Sequence, residues 1–234
     1  MQTQMMSRQA GRIKILAVVL SISLFTSTAF AGGGNVLPSS ATPKGYSLSD
    51  MAKATAFFNT GDHSAATYPE TPFQILYYRE NPPGTPDLTF NVRPGTTLYV
   101  PIFLADDSPP ILGNFPTNVN NRNDVLTYFY SLQQLGNIYT RIVVDGTTNS
   151  LGSDYVVGVG LVKLADVPGG TQHPRIGSYI VSAAFLTPLK KGRHTVEIRV
   201  YFHGAALMPF FPPDGVLQSS STYTVIVRDA SEED

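Results

Sequence analysis

Cysteine and tryptophan are both missing from the 234 residues, and charge is scarce: Asp, Glu, Lys and Arg make up 14% of the chain, with a net charge of −1. Without cysteine there is no disulfide framework, no thiolate metal site, no cysteine nucleophile and no thioether-linked lipid. A charged fraction this far below the roughly 25% of ordinary soluble domains argues against coiled coils and charged disordered tails. A net charge near zero supplies no bulk attraction to nucleic acid or to an anionic membrane, so no nucleic-acid partner is expected. What is present is 42% hydrophobic, with 12 Tyr and 13 Phe. The length suffices for a core in one large domain or two small ones.

Residues 1–31 read as a cleaved signal peptide. Arg8, Arg12 and Lys14 form a basic leader, and residues 15–25 are an apolar run broken only by serines. Ala29-Phe30-Ala31 then puts small residues at the two positions a signal peptidase reads. As a helix the run would rise about 16 Å, against a hydrocarbon core of about 30 Å, so cleavage after Ala31 is expected rather than anchoring. No later segment approaches ~20 apolar residues, and no membrane span is expected in the mature chain. The leader takes three of the 16 basic residues and none of the 17 acidic ones, which moves the net charge from −1 to −4. A signal of this type implies a bacterial protein secreted to the periplasm or the exterior, where a cysteine-free domain depends on its core.

Behind the leader, residues 32–46 are rich in Gly, Ser and Pro and are expected to be a flexible lead-in. Residues 47–230 form a single expected domain, and 231–234 an acidic tail. A helix is expected over 49–59, capped by Ser47 or Ser49, with Met51, Ala54 and Phe58 on one face and Gly61 as its stop. A second is expected over 124–135, with Asn121 or Asn123 as cap and Gly136 as stop. Strands dominate the rest. Leu88, Phe90 and Val92 alternate with polar residues, and the Pro94-Gly95 turn joins this run to a second from Leu98 to Leu104 as an expected hairpin. Pro101 cannot donate to a ladder, so that strand is an edge or carries a bulge. Val196, Ile198, Val200 and Phe202 alternate with Thr195, Glu197, Arg199 and Tyr201, and Tyr223, Val225 and Val227 alternate likewise. About eight short strands with Pro/Gly turns and two short helices indicate a mainly β fold, an antiparallel β-sandwich, with a β-barrel as the other candidate.

Wording supports the same architecture. The run Pro188-Leu189-Lys190-Lys191-Gly192-Arg193-His194-Thr195-Val196, followed by Tyr223-Thr224-Val225-Ile226-Val227, resembles the closing strands of immunoglobulin-like sandwich domains in bacterial secreted proteins. The stretch from Val92 to Pro101 and Val143-Val144-Asp145-Gly146 are similar to segments of uncharacterised exported bacterial proteins of about this length. The resemblance implies an immunoglobulin-like fold and an exported location. It brings no catalytic residues.

Constellations that carry chemistry are few. His194 and His203 lie an odd number of residues apart on one strand and face opposite ways, and His63 and His173 have no partner at ligand spacing. There is no Gly-x-Ser-x-Gly elbow. Of the five Glu residues two sit in the tail, and Glu197 lies on a polar strand face. Residues 106–124 are rich in acids and amides, so Asp106, Asp107 and Asp124 are candidate calcium ligands. An EF-hand's glycine and closing glutamate are absent there, and a polar loop with a helix cap explains the same residues. The apolar, proline-fixed run from Leu207 to Pro213 is the other candidate: Phe210 and Phe211 either contact a partner or plug one end of the sandwich. Tyrosines could stack on sugars, although Tyr also suits any half-buried pleated surface.

The function expected is therefore a non-catalytic exported binding or structural module of the bacterial cell envelope or exterior. Its partner is a protein or a carbohydrate, and it needs no cofactor beyond a candidate calcium ion. The alternatives are an exported hydrolase with its site in the long loops and a calcium-stabilised adhesin-like module.

Overall fold

The structure, a computed structural model, describes residues 34–61, 63, 65–78, 88–161 and 176–229, all within one compact unit. The expected signal peptide, the acidic tail and His173 lie outside the described residues.

The fold is mainly β, with two sheets. One holds β1 (Gln74–Ile75), β3 (Leu98–Asp106), β7 (Ser178–Leu186) and β6 (Val156–Gly160), in that spatial order. The other holds β2 (Thr89–Val92), β9 (Val216–Val227), β8 (Gly192–His203), β4 (Asn137–Val144) and β5 (Thr147–Ser150). Both sheets are mixed. β1 runs parallel to β3 and β2 parallel to β9, whereas the other pairs are antiparallel. The all-antiparallel expectation is amended to that extent, and both parallel pairs involve short strands at a sheet edge.

The expected hairpin across Pro94-Gly95 does not form. The turn itself does, with Thr96 N–H donating to the Arg93 carbonyl at 3.2 Å and Gly95 at φ 82°. Its two arms enter different sheets. Alternation reports which side chains share a buried surface, not which strands pair. Phe90 and Val92 do share a core with Leu98 and Val100, facing them from the opposite sheet.

The helix α1 (Leu48–Thr60) lies on the outer face of the four-stranded sheet, where Met51, Ala52 and Phe58 pack with Tyr99, Tyr179 and Phe185. The domain thus has three layers, one helix on two sheets. β7 is covered on both faces and buried from Tyr179 to Leu186, which is why it reads as an unbroken apolar run. Ser47 caps α1 in a full capping box, its hydroxyl accepting from the Asp50 N–H while Asp50 accepts from the Ser47 N–H. Ala54, expected on the buried face, is exposed; Thr55 and Asn59 occupy that face instead. They are satisfied internally: Thr55 Oγ1 donates to the Met51 carbonyl at 2.7 Å, and Asn59 Nδ2 donates to the Tyr179 hydroxyl at 2.9 Å.

The lead-in is tied down at Asn35–Leu37. Leu37 N–H donates to the Phe185 carbonyl at 2.9 Å and Thr187 N–H to the Asn35 carbonyl at 2.8 Å. β3 lies inside its sheet and takes the bulge, with its register slipping between Pro101 and Phe103. Past the bulge Phe103 enters a core at one end of the sandwich. There it meets Phe202, 4.3 Å between ring centroids, and residues of α2 (Arg122–Tyr130). Asn121 caps α2, which stops at Tyr130; residues 131–135 turn instead, and Gly136 takes φ 63° as β4 begins. No helix among the described residues is long and apolar enough to cross a membrane.

Candidate functional site

Two long connections meet at the end of the sandwich that holds α2. The β3–β4 connection carries α2, and the β8–β9 connection carries residues 204–215. Their backbones are tied directly: Ala205 N–H donates to the Leu132 carbonyl at 2.8 Å, and His203 N–H to the Gly136 carbonyl at 2.9 Å. A Cβ at Gly204 would overlap the Gln134 and Leu135 backbone, so the approach requires glycine there. Leu207 is fully buried and plugs the end core. The residues after it turn outward, with Met208 50%, Phe210 39% and Phe211 37% exposed, and Leu132 on the adjoining loop 61% exposed. The loop is held in shape from within. Phe211 N–H donates to the Leu207 carbonyl at 2.8 Å and Gly215 N–H to the Phe211 carbonyl at 2.9 Å. The plug and the exposed patch foreseen as rival readings of one segment are thus divided between Leu207 and the two phenylalanines.

The carboxylates of the acidic loop have separate settings. Asp106 accepts from the Ser108 N–H at 2.7 Å and from the Ser108 hydroxyl, and Asp107 accepts from the Gly177 N–H at 2.8 Å. Asp124 is exposed in the first turn of α2, where it suits the helix dipole. Among the described residues no three His, Asp or Glu are grouped to hold a metal ion.

A surface that strand periodicity did not single out lies on the outer face of the five-stranded sheet. Tyr139, Glu197, Arg199, Gln218, Ser219 and Ser220 line a concavity of about 500 Å³. Register brings them together, because Tyr139 faces Tyr201 across β4 and β8, while Arg199 faces Ser220 and Tyr201 faces Gln218 across β8 and β9. The Arg199 fork meets the Glu197 carboxylate twice, Nε to Oε1 at 2.6 Å and Nη2 to Oε2 at 2.7 Å. That fork holds the Glu197 carboxyl below its usual range, burial opposing it only in part. Tyr139 is fixed by a stacked Tyr201 ring at 5.7 Å and by the Arg141 guanidinium 4.5 Å from its centroid. The sequence signal for this site was present as the polar face of β8, but its neighbours on β4 and β9 are set by long-range pairing.

One titratable pair stands apart. His194 Nδ1 lies 2.7 Å from Asp145 Oδ2, and its Nε2 lies 2.7 Å from the Lys190 carbonyl oxygen. Facing acceptors at both nitrogens, the ring donates at both only as the imidazolium. Burial alone would lower the His194 pKa, but the bonds to Asp145 and Lys190 with the Asp145 charge outweigh it and raise the pKa. Burial likewise opposes the fall at Asp145, where the His194 bond, the Thr195 N–H and the imidazolium charge prevail. His203 is exposed on the opposite face from His194, in keeping with the alternation of β8. His63 packs edge-on against Phe58 at 5.0 Å.

No family model matches the chain, and no curated protein matches it. Among solved structures, one titled "Solution Structure of Amebosin" is similar at 14% identity over 68% of this chain and 100% of that one, with a TM-score of 0.23, a likeness too slight to carry an argument about fold or function.

Proposed function

We propose that the protein is a non-catalytic exported binding or structural module of the bacterial cell envelope or exterior, built on an immunoglobulin-like sandwich. Strand order supports the fold. Such sandwiches set strands A, B, E and D against C, F and G, with C′ added beside C in larger forms. Taking β3 as B, the chain continues through β4 as C, β5 as C′, β6 as D, β7 as E, β8 as F and β9 as G, and each falls in the matching sheet. β2, parallel to β9, takes the edge place beside G, whereas β1 runs parallel to β3 where strand A would run antiparallel to B, and so departs from that pattern. The basic leader and short apolar run of residues 1–31 support export to the periplasm or the exterior.

One observation carries the binding role: Phe210 and Phe211 are exposed on a loop whose own hydrogen bonds and buried Leu207 hold it rigid. Rigid aromatics at the end of a sandwich present apolar area at small cost in conformational entropy, as binding loops require. The partner is a protein or carbohydrate of the envelope, and the reading takes no cofactor. Fractionation of bacteria producing the full chain tests it. Recovery outside the cytoplasm, on envelope fragments, with the mass of a chain beginning at Gly32, is the expected result. Recovery of the uncut chain in the cytoplasm contradicts it.

A further inference from the structure

We infer that the concavity on the outer face of the five-stranded sheet is a binding site for a neutral oligosaccharide, separate from the Phe210/Phe211 loop. It is an open, polar concavity of about 500 Å³ on the sheet surface, with room for sugar rings. Chemistry then narrows the ligand. Arg199 and Glu197 neutralise each other in a two-bond fork, so the lining offers no net charge for an anion or cation to meet. The fork still leaves Arg199 N–H donors and Glu197 lone pairs free, fixed in place and side by side. A vicinal pair of hydroxyls, each both donor and acceptor, matches that arrangement.

The other walls point the same way. Gln218, Ser219 and Ser220 are exposed, and among the described residues their side chains make no hydrogen bond to protein. They add one amide and two hydroxyls whose polarity can follow the ligand. Tyr139 borders the concavity with its edge and hydroxyl, since its ring is stacked on Tyr201 and held against the Arg141 guanidinium. No aliphatic side chain lines the concavity, so an apolar ligand or a peptide's hydrophobic anchors would find only the edge of Tyr139 to bury against. A phosphate or nucleic-acid backbone would have to displace Glu197 from Arg199. Fixed donor–acceptor pairs and hydroxyl- and amide-bearing walls suit a neutral polyol.

The test is an amide-resonance titration of the protein with malto-, cello-, chito- and mannohexaose at millimolar concentration, with oligogalacturonate as the acidic control. At least one neutral hexasaccharide should shift the Tyr139, Arg199, Gln218 and Ser220 amides saturably. Gln218→Ala, an exposed position that should fold normally, should weaken that binding about tenfold, the weight of roughly one hydrogen bond. Substituting Phe210 and Phe211 by Ser should leave it unchanged, so loss of this site and loss of the loop's role are read separately. Absence of saturable shifts with every neutral sugar, binding of oligogalacturonate alone, or Gln218→Ala binding as the wild type does would each overturn the assignment.

Discussion

His194 and Asp145 lock the turn between β4 and β5 to the start of β8. Asp145 sits in that turn at φ 48°, and its second oxygen accepts the Thr195 N–H at 2.9 Å. Because His194 is raised in the folded state, its contribution is complete below the ordinary imidazole value of about 6.5 and is lost as pH rises through the folded pKa. Because Asp145 is lowered, its contribution is complete above the ordinary carboxylate value of about 3.9 and is lost as pH falls through the folded pKa. The pair therefore stabilises most between those two values. Melting curves of the protein and of His194→Ala should differ most between the ordinary carboxylate and imidazole values, about 3.9 and 6.5, and the gap should narrow as pH rises further. A gap that stayed constant or widened at alkaline pH would show that His194 acts by packing alone.

Among the elements, those governed by local chemistry were legible and those governed by distant pairing were not. The cap at Ser47, the cap at Asn121 and the disruption at Pro101 each depend on residues a few positions away, and each lies where the sequence puts it. The buried face of α1 departs from the expected one at Ala54 because Thr55 is satisfied within the helix by the Met51 carbonyl and Asn59 finds its distant partner in Tyr179 of β7. The β2–β3 connection was misjudged because a tight turn looks the same whether its arms pair or part between sheets. Of the candidate site, the exposed phenylalanines could be named from sequence, whereas the concavity needs three strands in register. The crossing at Gly204 likewise depends on contact between distant loops. Gly204→Ala should drive a methyl group into the Gln134–Leu135 backbone and cost about 1–3 kcal/mol. Chemical denaturation measures it, and a variant as stable as the parent would mean that the two loops are not in contact.

As a whole the molecule divides its labour between its faces. One face of the four-stranded sheet carries α1 and the other meets the five-stranded sheet, so its inner strand β7 is buried from Tyr179 to Leu186. The five-stranded sheet turns its outer face to solvent, and the loops that close one end of the sandwich project aromatic side chains. Without cysteine the frame rests on three connected apolar clusters. Leu207 belongs to that frame, whereas Phe210 and Phe211, a few residues on, stand outside it.

Retention on isolated bacterial envelope fragments, compared between the protein and its F210S/F211S variant with each melting curve recorded, separates the frame from the loop. The variant should lose retention while its stability falls by no more than about 1 kcal/mol, as for exposed positions. Retention equal to the parent's, or a loss of several kcal/mol, would contradict that division and assign the two phenylalanines to the core.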